Sequence, residues 1–315
     1  MKYRLKHVVE YGAVRGLACL VQNVPYRVAL ALGWGVAWLS HRVFRFRIDA
    51  ARWRIRDVFK DQYSEPEVRR IAWLSWRNFI FSIIGLIRIP VTTPNWVLSV
   101  VDSAATEQGL LTHLKTGKGA IIATIHMGAW EMAALASLAH RVPLFSLAAK
   151  QKNPLVDEFM NQMRAGTGFE TLLRNSSVLK GIIRRIRDGK VLAILPDGRA
   201  RSASLPVQFL GQTAHVAAGM ALIARQTGAP IYPCVITRIG WDRHRYRVFD
   251  PVWPDPSVDK RKDWQRMTQA VFDAFDPCIR TQPEQWFWFN KRWMLEPFKA
   301  ADLAVVDSPD QEAVV

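Results

Sequence analysis

Cysteine is scarce. Cys19, Cys234 and Cys278 are the only three in 315 residues, far apart and odd in number. They make no metal-ligand spacing and no disulfide framework, so a reducing, cytoplasmic setting and no bound metal are expected. Acidic residues are also short: 27 against 43 lysines and arginines, a formal charge of +16. Such a surplus calls for an anionic partner, whether nucleic acid, anionic lipid or an acidic protein. No single apolar run reaches the ~20 residues of a membrane span. Signature motifs are missing as well. Without a Gly-x-Ser-x-Gly elbow, the chain lacks the nucleophile turn of lipases. It has no phosphate-cradling loop ending Gly-Lys-Ser or Gly-Lys-Thr, no His-Glu-x-x-His and no dinucleotide fingerprint. No nucleic-acid recognition motif accompanies the charge, so nucleic acid is set aside as a partner.

What is present is apolar and aromatic. Half the residues are hydrophobic and 13 are Trp. That is enough core for one large α/β domain or two smaller ones, with Trp serving cores and membrane interfaces alike. Residues 1–95 read as a helical, basic, aromatic front section. Its apolar stretches, 16–24 and 28–39, are split by Asn23 and Pro25. Joined they would span a bilayer, but with a proline break and Arg27 inside. The start does not resemble a cleaved signal peptide. We read it as an amphipathic or re-entrant membrane anchor, with an apolar hairpin packed on its own domain as the alternative. Arg42, Arg45 and Arg47 follow, then Arg52, Arg54 and Arg56, against Asp49 alone. Next to an apolar segment these suit anionic headgroups at ~1 kcal/mol each; a solvated helix face is the plainer reading. We assign membrane contact to Arg42, Arg45 and Arg47. Ser64-Glu65-Pro66-Glu67 opens a helix whose apolar run stops at Pro90.

From about residue 97, short apolar runs alternate with helical stretches. Strands are expected at 120–125, 143–148, 191–195, 231–237 and 246–249. Helices are expected at 131–140, 154–166, 178–188, 216–227 and 260–279, with caps at Asn175-Ser176-Ser177 and stops at Gly189 and Gly228. The pattern is α/β: a mostly parallel sheet flanked by helices over 96–299, behind the helical front section. The tail, 300–315, is polar and acidic, and disorder is expected there.

The chemistry concentrates at 120–131. A strand ends at His126, Gly128 permits a turn, and Glu131 falls in the first turn of a helix. In open parallel sheets, ligands sit at the carboxyl ends of strands. On one continuous helix His126 and Glu131 would point ~140° apart; across a turn they can meet. Histidine takes protons at neutral pH, and a carboxylate fixes its tautomer. The turn's N–H groups and the positive helix end offer a place for an oxyanion. A base without a protein nucleophile suits attack by a substrate hydroxyl on an activated acyl carbonyl. Alone, the spacing is equally compatible with a core or capping histidine.

His126-Met127-Gly128-Ala129-Trp130-Glu131 resembles the His-x4-Asp/Glu block of glycerolipid acyltransferases. More closely, it resembles the His-x-Gly-Asn-Trp-Glu form of the bacterial lipid A late (lauroyl/myristoyl) acyltransferases. Gly117-Lys118-Gly119, Lys152-Asn153-Pro154 with Arg164, Leu195-Pro196-Asp197, Phe209-Leu210-Gly211, the run from Ala218-Gly219 to Gly228-Ala229, and Pro283 to Trp288 with Lys291-Arg292-Trp293 agree in order and spacing. The resemblance implies a membrane-associated O-acyltransferase at the cytoplasmic face of the inner membrane. It implies a lipid acceptor, foremost a lipid A precursor, and a thioester donor on acyl carrier protein or CoA as co-substrate, with no cofactor. It casts His126 as general base, Glu131 as its orienter and Arg164 as a helper to the thioester or lipid phosphate. Gly128, Asp197 and Arg225 become substrate-site residues. Asp197 is expected to order the site from a neighbouring strand end, with a structural cap as the equal alternative, and Arg164 as a surface arginine stays open. Ala129 and Gly198 depart from the family's Asn and Gln, which leaves a lysophospholipid, another membrane lipid, or hydrolysis as alternatives.

Overall fold

The computed structural model describes residues 3–103, 107–148, 152–165, 168–173, 178–200 and 204–296, the side chains at 148, 164, 165, 173 and 204 excepted. The expected caps at 175–177 and the tail at 300–315 lie outside these residues.

Four helices open the chain: α1 (Leu5–Asn23), α2 (Tyr26–Arg42), α3 (Ile48–Phe59) and α4 (Glu65–Arg88). Pro25 breaks the first two apart, as its sequence position requires. A capping box starts α4: Glu67 accepts hydrogen bonds from the Ser64 N–H (2.8 Å) and hydroxyl (2.6 Å). Among the described residues, one helical stretch, 65–91, is long and apolar enough to cross a membrane by length and composition. It contains α4, which here packs against α1, α2 and α3.

After α5 (Pro94–Val100), β1 (Val101–Asp102) and α6 (Gln108–Leu114), the chain alternates. It runs β2 (Ala120–Thr124), α7 (Trp130–Ala139), β3 (Leu144–Ala148), α8 (Pro154–Ala165), β4 (Glu170–Leu173), α9 (Val178–Arg187) and β5 (Val191–Ile194). A hairpin, β6 (Ser204–Phe209) and β7 (Gln212–Ala217), then interrupts, before α10 (Gly219–Thr227), β8 (Ile231–Arg238), β9 (His244–Val248) and α11 (Lys260–Thr281). The described residues form a seven-stranded sheet in the order β1-β9-β8-β2-β5-β3-β4, parallel except for the β8–β9 pair.

β2 lies between β5 and β8, and every residue of it is buried. Its side chains alternate between two cores. Ile121 and Ala123 join the face covered by α9, α10 and α11; Ala120 and Ile122 join the face covered by α5 and α7. The first core also takes in Trp76 of α4 and the late aromatics Trp286, Trp288 and Trp293.

The expected helix at 216–227 begins only at Gly219. Its first residues belong to β7, where Ala214 and Val216 alternate inward, and positive φ at Leu210 (53°) and Gly211 (79°) makes the two-residue hairpin turn. Gly228 stops α10 with φ of 70°, as expected.

Candidate active site

His126 and Asp197 meet because β2 and β5 are parallel neighbours. Their register pairs Ala123 with Ile194, so three residues further on His126 stands opposite Asp197. Asp197 Oδ1 lies 2.8 Å from His126 Nδ1, and Oδ2 accepts the His126 backbone N–H at 2.9 Å and the Trp286 Nε1–H at 3.0 Å. The Asp197 side chain is fully buried, whereas 32% of the His126 side chain is exposed.

Burial alone would raise the Asp197 pKa. The adjacent imidazole and the three donors outweigh it and hold the carboxyl below its ordinary value. Asp197 is therefore an acceptor, and the proton of the pair sits on Nδ1. Burial likewise opposes a charged His126. The Asp197 carboxylate, with a contribution from Glu131, outweighs that and raises the imidazole above 6.5. Nε2 is left as the basic nitrogen, with no hydrogen-bond partner among the described residues.

The turn after β2 is clamped by the late aromatic block. Gly128 donates to the Gln285 carbonyl at 2.8 Å, Met127 bridges Trp286, and the Phe287 N–H donates to the His126 carbonyl at 2.9 Å. From the other side, α4 holds both partners. Ser82 Oγ donates to the Gly128 carbonyl at 2.7 Å, and Asn78 Nδ2 to the Glu284 carbonyl at 3.0 Å. Ser75 Oγ binds the Trp286 carbonyl. Gly128 has φ of 59°, and a Cβ there would come 2.0 Å from the Ile236 carbonyl oxygen of β8.

The ring's hydrogen-bonded partner is thus Asp197, where the sequence had suggested Glu131 for orientation and Asp197 as a substrate-site residue that orders the site from a neighbouring strand end. Glu131 opens α7 and acts on His126 through its charge. The N–H groups expected to meet an oxyanion are largely engaged: His126 by Asp197, Met127 by Ile125, Gly128 by Gln285. Ala129, at the N-cap of α7, supplies no side-chain cap, and the Met132 N–H already donates to the Ala129 carbonyl at 2.7 Å, so it is the positive end of the α7 dipole that can serve that role.

Other expected site residues lie elsewhere in the fold. Arg225 donates at 2.7 Å to Asp263 and to the Asp255 carbonyl, and at 2.8 Å to the Val258 carbonyl, tying α10 to α11. Those contacts give it a structural task. Arg164 sits in α8, with its side chain outside the described residues. Arg47 donates to the Asn290 carbonyl at 3.0 Å, so it braces the late block, while Arg45 pairs with Asp49 at the surface and Arg42 is exposed. Trp286, Gln285, Ser75, Asn78 and Ser82 were not singled out from sequence. The aromatic block at 283–293 was the one signal that pointed toward them.

The family model described as bacterial lipid A biosynthesis acyltransferase matches residues 1–294. The chain is 25% identical over 192 residues to a phosphatidylinositol mannoside acyltransferase of Mycolicibacterium smegmatis, covering 59% of this chain and 60% of that protein. It is 26% identical over 190 residues to a Mycobacterium tuberculosis protein of the same name, covering 58% and 57%. The chain thus spans about three-fifths of the length of these curated relatives.

Proposed function

The chain belongs to the bacterial lipid A biosynthesis acyltransferase family, and on that premise we propose that it moves a fatty acyl chain from a thioester to a hydroxyl of a membrane lipid. The observation that carries this reading is the His126–Asp197 pair. Asp197 keeps the Nδ1 proton in place, and Nε2 takes the proton of the acceptor hydroxyl. The acceptor oxygen attacks the thioester carbonyl directly. The resulting oxyanion is met by the positive N-terminal end of α7. Collapse breaks the C–S bond, and the departing thiolate recovers the proton from the imidazolium. Atoms and charge balance with no acyl-enzyme.

The family description and the chain's own blocks favour a lipid A precursor as acceptor, and the relatives' names a phosphatidylinositol mannoside. Both are glycolipids with an anionic phosphate, and we assign that class. The donor carrier is an acyl carrier protein, with CoA as the alternative. The +16 charge suits an acidic carrier and an anionic cytoplasmic leaflet alike. The surface supports a membrane-lying front. Val28, Leu32, Val36 and Leu39 form an exposed stripe on α2, and Val43, Phe44 and Phe46 continue it between Arg42 and Arg47. Lipid mass spectrometry of cells with and without the chain tests the reading. One lipid class should gain an acyl chain in its presence. A rise in free fatty acid with no acylated lipid would indicate hydrolysis instead.

A further inference from the structure

Two arginines close to the catalytic turn have no carboxylate in hydrogen-bond contact among the described residues; Glu284 reaches Arg77, and Asp242 reaches Arg238, through charge alone. Arg238, at the end of β8, is 6% exposed, and its Nε and Nη2 have no hydrogen-bond partner among the described residues. Arg77 of α4 has its Nε equally unpartnered. Both guanidiniums lie against one ring, Phe81, at 5.5 Å for Arg77 and 5.2 Å for Arg238. The buried Tyr26 hydroxyl at the start of α2 faces Arg238. The carboxylate whose charge reaches Arg238 is Asp242, and it is already bidentate to Arg27 at 2.7 and 3.2 Å. Burial of cations without a paired anion is unfavourable and calls for an explanation.

Trp241 packs on the same Phe81 ring, the centroids 5.7 Å apart, and it lines an open cleft. This shallow cleft of about 480 Å³ is lined by Arg27, Gly240, Trp241, Asp242 and Arg243. Arg238 backs it, donating Nη1 to the Trp241 carbonyl. Apolar surface adjoins the lining: Trp241 and its near neighbour Ile239 are each 47% exposed, and Val28, which follows Arg27 on α2, is exposed as well. Cations beside apolar surface suit a phosphate carried on a lipid. The cleft is also tied to the catalytic turn. Gln285 clamps Arg238 through both its N–H (3.1 Å) and its C=O (3.0 Å), and the Gln285 carbonyl takes the Gly128 N–H.

We propose that the cleft between the start of α2 and the β8–β9 hairpin, with Arg238 and Arg77 behind it, binds the headgroup phosphate of the acceptor lipid. The word acceptor rests on the lipid-acyltransferase reading above; phosphate binding does not. A free phosphate or the phosphates of the donor carrier offer the same chemistry, and the probes separate them.

The test measures binding to the full-length protein in detergent, followed by intrinsic fluorescence. The probes are dioctanoyl phosphatidylinositol, dioctanoylglycerol, inorganic phosphate and coenzyme A. Arg77→Gln and Arg238→Gln should each weaken the phosphatidylinositol probe on the order of tenfold, the scale of one lost charge-assisted hydrogen bond. Dioctanoylglycerol and coenzyme A should bind all variants alike, and Arg238→Lys should recover part of the loss. Wild-type affinity for the phosphatidylinositol probe in both Gln variants would overturn the proposal. An equal loss of coenzyme A binding would assign the arginines to the donor, and tight binding of inorganic phosphate alone would remove the lipid. If Arg238→Gln does not fold, the partly exposed Arg77 carries the test. His126→Ala should bind the probe normally, so a failure of acyl transfer is read separately from a failure of this site.

Discussion

His126 keeps its proton on Nδ1 because Asp197, buried and triply donated to, stays ionised. Two consequences follow at the scale of single residues. With His126 as the proposed base, active only when neutral, the raised imidazole pKa predicts an acid limb of the transfer rate above 6.5. The same shift stabilises the fold: the contribution is full below pH 6.5 and is lost as pH rises through the raised value. In Asp197→Asn the carboxylate charge is gone, so the limb should move to lower pH and the rate fall by about two to four orders of magnitude. A pH–rate profile of the two proteins checks both effects. Gly128→Ala would drive a methyl into the Ile236 carbonyl at positive φ, so a loss of ~2 kcal/mol or more and of activity is expected, read by denaturant melts. His126 and Glu131 were legible locally, as a strand end, a glycine turn and a helix start. Asp197 was legible as a residue at a neighbouring strand end, but its pairing with the His126 ring was not. That pairing joins residues 71 apart, and only the β2–β5 register brings them opposite one another.

Among the elements, α4 has the largest part in shaping the site. Ser75, Asn78 and Ser82 share one helix face and hold, in turn, the Trp286, Glu284 and Gly128 carbonyls. Ser82→Ala leaves the buried Gly128 carbonyl without its donor, at a cost of about 1–3 kcal/mol. Because the Gly128 carbonyl belongs to the proposed catalytic turn, kcat should fall more than KM rises; steady-state kinetics beside a thermal melt separates the two. The capping box of α4 could be read directly from Ser64 to Glu67, and the alternation of strands and helices from hydrophobic periodicity. The β6–β7 hairpin was missed for a physical reason. Its Leu210-Gly211 turn lacks the Asn-Gly or Asp-Gly that marks most such turns, and its apolar residues run straight into those of α10. The polar face of α4 was hidden likewise, since its three partners are backbone carbonyls more than 40 residues away.

For the whole molecule, a buried polar cluster packed on β8 and β9 sets a pH dependence of stability. Glu107 is 1% exposed, and burial pushes its carboxyl up to about 7, partly opposed by Ser103. His140 faces it at 3.1 Å, and Cys234 and Tyr246 lie within its electrostatic reach. A raised carboxyl favours the neutral form in the folded state. Its penalty therefore grows as pH rises from 4.5 towards 7, to about 3 kcal/mol. Glu107→Gln should flatten the loss of stability between pH 5 and pH 8, measured by urea melts at each pH; an unchanged slope would assign the dependence elsewhere. The other molecule-wide feature is the surface itself. Five tryptophans, Trp34, Trp38, Trp53, Trp241 and Trp253, are exposed, and Trp76, Trp264, Trp286, Trp288 and Trp293 are buried. The Trp content was visible in the sequence, but its division between core and surface depended on which helix faces met the sheet.

The most direct measurement is single-turnover transfer of a labelled acyl chain from its thioester to membrane lipid by the purified protein, with wild type and His126→Ala side by side. Wild type should acylate the lipid with no label left on the protein. His126→Ala, folded and still membrane-bound, should transfer nothing. Undiminished transfer by that variant, or acyl label trapped covalently on the chain, would contradict His126 as the base of a direct transfer.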